Sequence, residues 1–149
     1  MSILKVDTIN EKTSGNGVQI PGHVVQVVTN TYSTETTTAA GSFTDTGITA
    51  TITPTSTSSK ILVLCNLCSA GVLNSSGADA NGFFKLVRGS TDLIQGLQRC
   101  YDYGNSGSII FGQHLMSWLD SPSTTSATTY KLQQKLTAGS SIRVCEGND

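Results

Sequence analysis

Three groups of side chains in this sequence have types and spacing that invite chemistry. Cys65 and Cys68 form a C-x-x-C pair, the spacing used by zinc ligands and by redox dithiols. His114, Ser117 and Asp120 lie close together in the chain and are the residue types of a nucleophilic triad. Arg99-Cys100-Tyr101-Asp102-Tyr103-Gly104-Asn105 sets two tyrosines beside an acid and an amide on a glycine-flanked connector. Flat rings stack on sugar faces, acid and amide groups read hydroxyls, and tyrosine offers contact area with few rotors to freeze.

The elements that must hold these residues argue against the first two. Ile61-Leu62-Val63-Leu64-Cys65-Asn66-Leu67-Cys68 reads as a strand, on which positions three apart point to opposite faces. The two Cα atoms would then be about 10 Å apart at ~3.3 Å per residue, beyond the reach of a disulfide. No second C-x-x-C exists, and His23 and His114 stand at no ligand-like spacing. Cys65, Cys68, Cys100 and Cys145 therefore read as buried structural free thiols of a reducing compartment, and neither a metal nor a cofactor is expected. On one strand His114 and Asp120 would be about 20 Å apart, too far for a triad. The ten carboxylates show no marked pair of the glycosidase kind. Gly104-Asn105-Ser106-Gly107 lacks the lysine and the strand-to-helix setting of a phosphate loop. No enzyme is expected. Tyr101, Asp102, Tyr103 and Asn105 remain as the candidate receptor contact, against the alternative that the rings fold back on the sheet or sit in a subunit contact.

Composition narrows the class further. Of 149 residues, 40 are Ser or Thr and 13% are charged, so hydroxyls supply most of the surface polarity. Threonine suits pleated strands, serine and glycine suit the turns between them, and good helix formers are few. A net charge of −1 removes the simplest nucleic-acid reading, since phosphate binding calls for a basic surface. No apolar run approaches the roughly 18 residues of a membrane span, so no membrane insertion is expected. Met1-Ser2-Ile3-Leu4-Lys5-Val6-Asp7 carries charges where a signal peptide has its apolar core.

The spacing of turns predicts an all-β fold: an antiparallel sandwich or jelly-roll-like domain of about eight strands over residues 23–149, preceded by a short β-type assembly segment over 1–22. In that first segment Ile3, Leu4, Val6 and Ile9, with Val18 and Ile20, are too few to bury one another. They must lie against another copy, a different protein, or an edge of the main domain. Strands are predicted over His23–Tyr32, Thr44–Thr53, Lys60–Leu67, Gly82–Arg88 (with a hairpin turn at Gly89-Ser90-Thr91 into Leu93-Ile94), Ser108–Leu119, Thr128–Leu136 and Ile142–Cys145. The nearly continuous apolar run Lys60–Leu67 predicts a central strand covered on both faces. Pro122 ends one strand. The Ser/Thr-rich connector that follows it reads as structural, with Trp118 and Tyr130 anchoring its ends in the core. The scarcity of lysine and proline on prospective edges points to self-association.

Several of these stretches, taken in order, carry a resemblance. They are Ile3-Leu4-Lys5-Val6-Asp7-Thr8-Ile9 with Gly15-Asn16-Gly17-Val18-Gln19-Ile20-Pro21-Gly22-His23-Val24-Val25-Gln26-Val27-Val28, then Ile48 to Val63, then Phe84-Lys85-Leu86-Val87-Arg88-Gly89-Ser90-Thr91, and then Leu119 to Lys131. The ordered set covers most of the chain and resembles small tail-fibre-like virion proteins of phages that infect cyanobacteria and other aquatic bacteria. The resemblance implies a non-enzymatic, receptor-binding tail fibre component, made in the host cytoplasm and carried on the virion tail, usually as a homotrimer. Residues 1–22 would attach it to a baseplate or other tail protein, and the β-rich head would face host surface glycans. The alternative is a structural decoration, neck or cement protein without receptor binding. Members of that family often end in a longer apolar strand after the last turn, whereas this chain ends Ile142-Arg143-Val144-Cys145-Glu146-Gly147-Asn148-Asp149. No catalytic residue carries over.

Overall fold

Alternating apolar and polar side chains, interrupted by glycine, proline and hydroxyl-rich turns, produce strands throughout. The computed structural model describes Thr8 and residues 24–74, 79–100 and 109–145. Within them lie β1 (Thr36–Thr38), β2 (Thr44–Ile52), β3 (Ile61–Leu73), β4 (Ala80–Arg88), β5 (Thr91–Cys100), β6 (Ile109–Asp120), β7 (Thr128–Ala138) and β8 (Ser141–Val144), with no helix among the described residues.

The pairing follows one rule. β4 pairs with β5, β3 with β6, β2 with β7 and β1 with β8, all antiparallel. The chain is thus a single long hairpin, folded at Gly89-Ser90 and rolled up. Rolling adds the β3·β8 and β4·β7 ladders and yields two four-stranded sheets, β1-β8-β3-β6 and β2-β7-β4-β5. This is the strand order of a jelly roll. At the fold point Gly89 has φ 56°, as the first central residue of a tight two-residue hairpin turn requires.

The core forms between the sheets at the end where β8 is present. Val72, Ile142 and Val144 of one sheet meet Phe84, Leu132 and Leu136 of the other, all fully or almost fully buried. Each side chain of this size contributes about 1.5–3 kcal/mol on burial. β7 keeps a strict alternation, with Thr128, Tyr130, Leu132, Gln134 and Leu136 inward, as its sequence pattern predicts.

The structure corrects several sequence expectations. Residues 24–35 form no strand. Val24 and Val27 are 69% and 75% exposed, because the segment runs beside β2 as a strap without a ladder partner. His23 lies outside the described residues. The run from Ile61 to Leu67 is not covered on both faces, because Leu62 and Leu64 are 62% and 66% exposed. Tyr130 is in the core, but Trp118 is 38% exposed. Its partner across the ladder is Val63, at the less covered end of β3. β3 runs on to Leu73 and β5 to Cys100, further than the sequence suggests, and β1 falls in a threonine run with no alternation to mark it.

Candidate functional site

The residues singled out as a receptor contact, Tyr101, Asp102, Tyr103 and Asn105, lie outside the described residues, as do Ile3, Leu4, Val6, Ile9, Val18 and Ile20. The topology brings the end of β5 and the start of β6 to the same end of the sandwich as the β7–β8 turn at Gly139-Ser140.

The triad candidates are separated by the pleat. His114 points between the sheets, with its ring 5.3 Å from that of Phe84, and burial lowers its pKa below the usual histidine value. Ser117 faces outward. Asp120 points inward but is engaged elsewhere: its Oδ2 accepts a 2.7 Å hydrogen bond from the Tyr130 hydroxyl and a 2.7 Å bond from Arg88 Nη1, which also reaches Oδ1 at 2.9 Å. Burial, reinforced by the Asp120 carboxylate, pushes the Tyr130 hydroxyl well above its ordinary pKa. The network ties β6 of one sheet to β4 and β7 of the other. Its three members hold one another across the sandwich, which fixes the two sheets in register.

The cysteines follow the strand geometry. Cys65 packs against the core, but Cys68 is exposed rather than buried as expected, because three positions along a strand reverse the face. Cys145 follows β8 and points its thiol to the Tyr32 carbonyl, with Sγ at 3.4 Å. Burial raises the Cys65 pKa, with a smaller contribution from Cys145. Burial likewise raises the Cys145 pKa, with a smaller contribution from Cys68. Among the described residues no three His, Cys, Asp or Glu side chains come together in a way that could hold a metal ion.

No family model matches the chain, and neither a curated protein nor a solved structure similar to it was found.

The feature that sequence reading missed is a trough of about 1120 Å3, bounded by the strap over 24–33, the inner face of β2 at Ile48, Ala50 and Ile52, and the edge of β3 from Ile61 to Ser69. It exists because the strands of one sheet differ in length. β3 has 13 residues and β8 has 4. Along β3, β8 pairs with Ala70–Leu73 alone, and Cys145, at φ 57°, turns the chain out of line. From Ile61 to Leu67, therefore, β3 has a ladder partner on its β6 side alone. The strap beside the gap is held by the Asn30 side-chain amide donating to the Thr49 carbonyl at 2.6 Å and by the Tyr32 ring. That ring occupies the space a Cβ on Gly47 would need, 2.5 Å from the hydroxyl. The signal was present in the sequence as a mismatch: a long apolar strand at 61–68, a valine-rich run at 24–28, and a last strand too short to lie between them.

The outer faces of the two sheets differ in chemistry. On β3 and β6 the outward residues include Leu62, Leu64, Leu115 and Leu119, each more than 60% exposed. On β4 and β7 they include Lys85, Lys131 and Lys135. Lys131 pairs with Asp45 at 2.7 Å and Lys85 with Asp92 at 2.9 Å, while Lys85 and Lys135 flank the Phe43 ring at 4.0 and 4.7 Å.

Proposed function

We propose that the chain is a non-enzymatic tail fibre component of a phage virion. It works as a homotrimer whose residues 1–22 join it to the baseplate or another tail protein and whose jelly-roll head contacts host surface glycans. The observation that carries this reading is the ordered set of motifs from Ile3 to Lys131 that resembles tail-fibre-like virion proteins. The two-faced character of the sandwich supports it. A leucine-lined outer face on one sheet suits contact between copies, since apolar patches on a displayed surface mark interaction sites. The charged outer face of the other sheet suits solvent. The head then needs only modest affinity per site, because several copies per particle raise avidity without new contacts.

The test is removal of residues 2–20 from the protein as it is assembled. The expected result is a folded jelly roll that no longer joins particles. Normal incorporation of the shortened protein contradicts the attachment role.

A further inference from the structure

Two local irregularities meet where β8 leaves β3, and a cysteine sits at each. On β3 the ladder to β6 steps from Leu67↔His114 to Ala70↔Gly112. Cys68 and Ser69 therefore share one partner position and form a β-bulge, a feature that re-aims side chains. Cys68 is exposed. Across from it, Cys145 has φ 57°, a left-handed conformation that residues bearing a Cβ seldom adopt.

The two residues are neighbours across the strands. β8 pairs with β3 from Leu73↔Ser141 to Ala70↔Val144. One step further, the Cys145 amide donates to the Ser69 carbonyl at 2.8 Å. Residues paired in this way stand about 5.5 Å apart at Cα, and Cys68 is one residue along. The Cys68 and Cys145 Cα atoms are then roughly 6 Å apart, inside the range that a disulfide spans. Cys65 lies further back along β3 and packs against the core, more than about 10 Å from Cys145 at Cα by the same spacing.

With both thiols reduced, Cys145 donates to the Tyr32 carbonyl, Sγ to O 3.4 Å, which ties the end of β8 to the strap. An extended backbone at Cys145 would instead continue the alternation of β8. Ile142 and Val144 are buried inward, so Cys145 would point outward with Arg143, on the side where Cys68 is exposed. One rotation of a strained residue thus exchanges the strap for Cys68.

We propose that Cys68 and Cys145 are a redox pair, which a small-molecule disulfide such as oxidised glutathione converts to a disulfide within the chain, taking the Cys145 sulfur off the strap. Cys68 reacts first because it is exposed, whereas burial holds the Cys145 thiol above the usual cysteine value. The Cys68 thiolate attacks one sulfur of the oxidant, its S–S bond breaks, and one small thiolate leaves. The Cys145 thiolate then attacks the Cys68 sulfur and displaces the second. Two protein thiols are oxidised, one small disulfide is reduced to two thiols, and the two cysteine protons end on them. The bond closes a loop of about half the chain, which constrains the unfolded state strongly. The pairing involves the head alone and holds whatever the protein attaches to.

The experiment treats the purified full chain with oxidised glutathione and maps disulfides by mass spectrometry of proteolytic fragments. The main product should be a monomer that has lost two hydrogens and links Cys68 to Cys145. Its thermal midpoint should rise by roughly 5–10 °C and return on addition of a thiol reductant. Hydrogen exchange over residues 24–33 should rise on oxidation and fall back on reduction. With Cys145→Ala, the reaction should stop at a glutathione adduct on Cys68, with no rise in the midpoint. A chain with Cys65→Ser and Cys100→Ser should behave as the native one. No reaction, a bond between two chains, or a main product that joins Cys65 or Cys100 would overturn the proposal. So would a Cys68–Cys145 bond that leaves exchange in the strap unchanged.

Discussion

The hydroxyl of Tyr130 donates a 2.7 Å hydrogen bond to Oδ2 of Asp120, joining the third residue of β7 to the last residue of β6 across the two sheets. Arg88 of β4 closes the group from the other side. Because Asp120 is 6% exposed and Tyr130 4%, these bonds are made largely out of water, where an unpaired member is costly. Asp120→Ala should destabilise the fold by about 3–5 kcal/mol, since it strands the Arg88 guanidinium. Tyr130→Phe should cost about 2 kcal/mol. Urea unfolding of both variants and of the double variant checks this, and the pair should be clearly non-additive.

Glycine substitutions should separate two kinds of turn. At Gly139, φ is 103° and an added Cβ would meet Ala80 Cβ at 2.6 Å and the Leu73 carbonyl at 2.9 Å. At Gly89, φ is 56° and the space around the Cβ position is open. Gly89→Asn should therefore cost under about 1 kcal/mol, because asparagine tolerates this backbone. Gly139→Ala should cost more than about 2 kcal/mol, since backbone strain and a clash with main chain act together. Thermal unfolding midpoints of the two variants give the comparison.

The fold should lose stability at both ends of the pH range, for separate reasons. Burial lowers the His114 pKa from 6.5, so the unfolded chain takes up this proton first. Stability from this group is complete above pH 6.5 and declines as the pH falls through the lower folded value. The Tyr130 pKa is raised from 10.0, so stability from that group is complete below pH 10 and declines as the pH rises beyond it. Denaturant midpoints measured from pH 5 to 11 should show both slopes. His114→Gln should flatten the acidic one and Tyr130→Phe the alkaline one.

How far the sequence reveals the fold depends on whether a strand meets its neighbours within the chain. β7 is legible because Tyr130, Leu132, Gln134 and Leu136 all face one completed core. The turn at Gly89-Ser90 is legible because its chemistry is local. The run from Ile61 to Leu67 misleads because both of its faces are apolar and one of them is left uncovered. Val24 to Val28 misleads for the complementary reason: strand-like side chains without a backbone partner remain a strap. The Arg88–Asp120–Tyr130 network is hidden because its members sit in three strands, and only the roll of the hairpin brings them together.

Changing Tyr101 and Tyr103 to Ala should lower adsorption to host cells at least tenfold without altering the mass of the assembled protein, because loss at each of several linked sites is multiplied by avidity. Binding of labelled particles to cells is the measurement. Unchanged adsorption with an intact assembly removes this loop as the receptor contact.

The most direct test of the central claim is the position of the protein on intact particles, imaged by electron microscopy with antibodies raised against the head at residues 24–145. The tail fibre reading predicts label at the tail, on projections directed away from the capsid. Label distributed over the capsid or confined to the neck would contradict it and favour a decorating or cement protein.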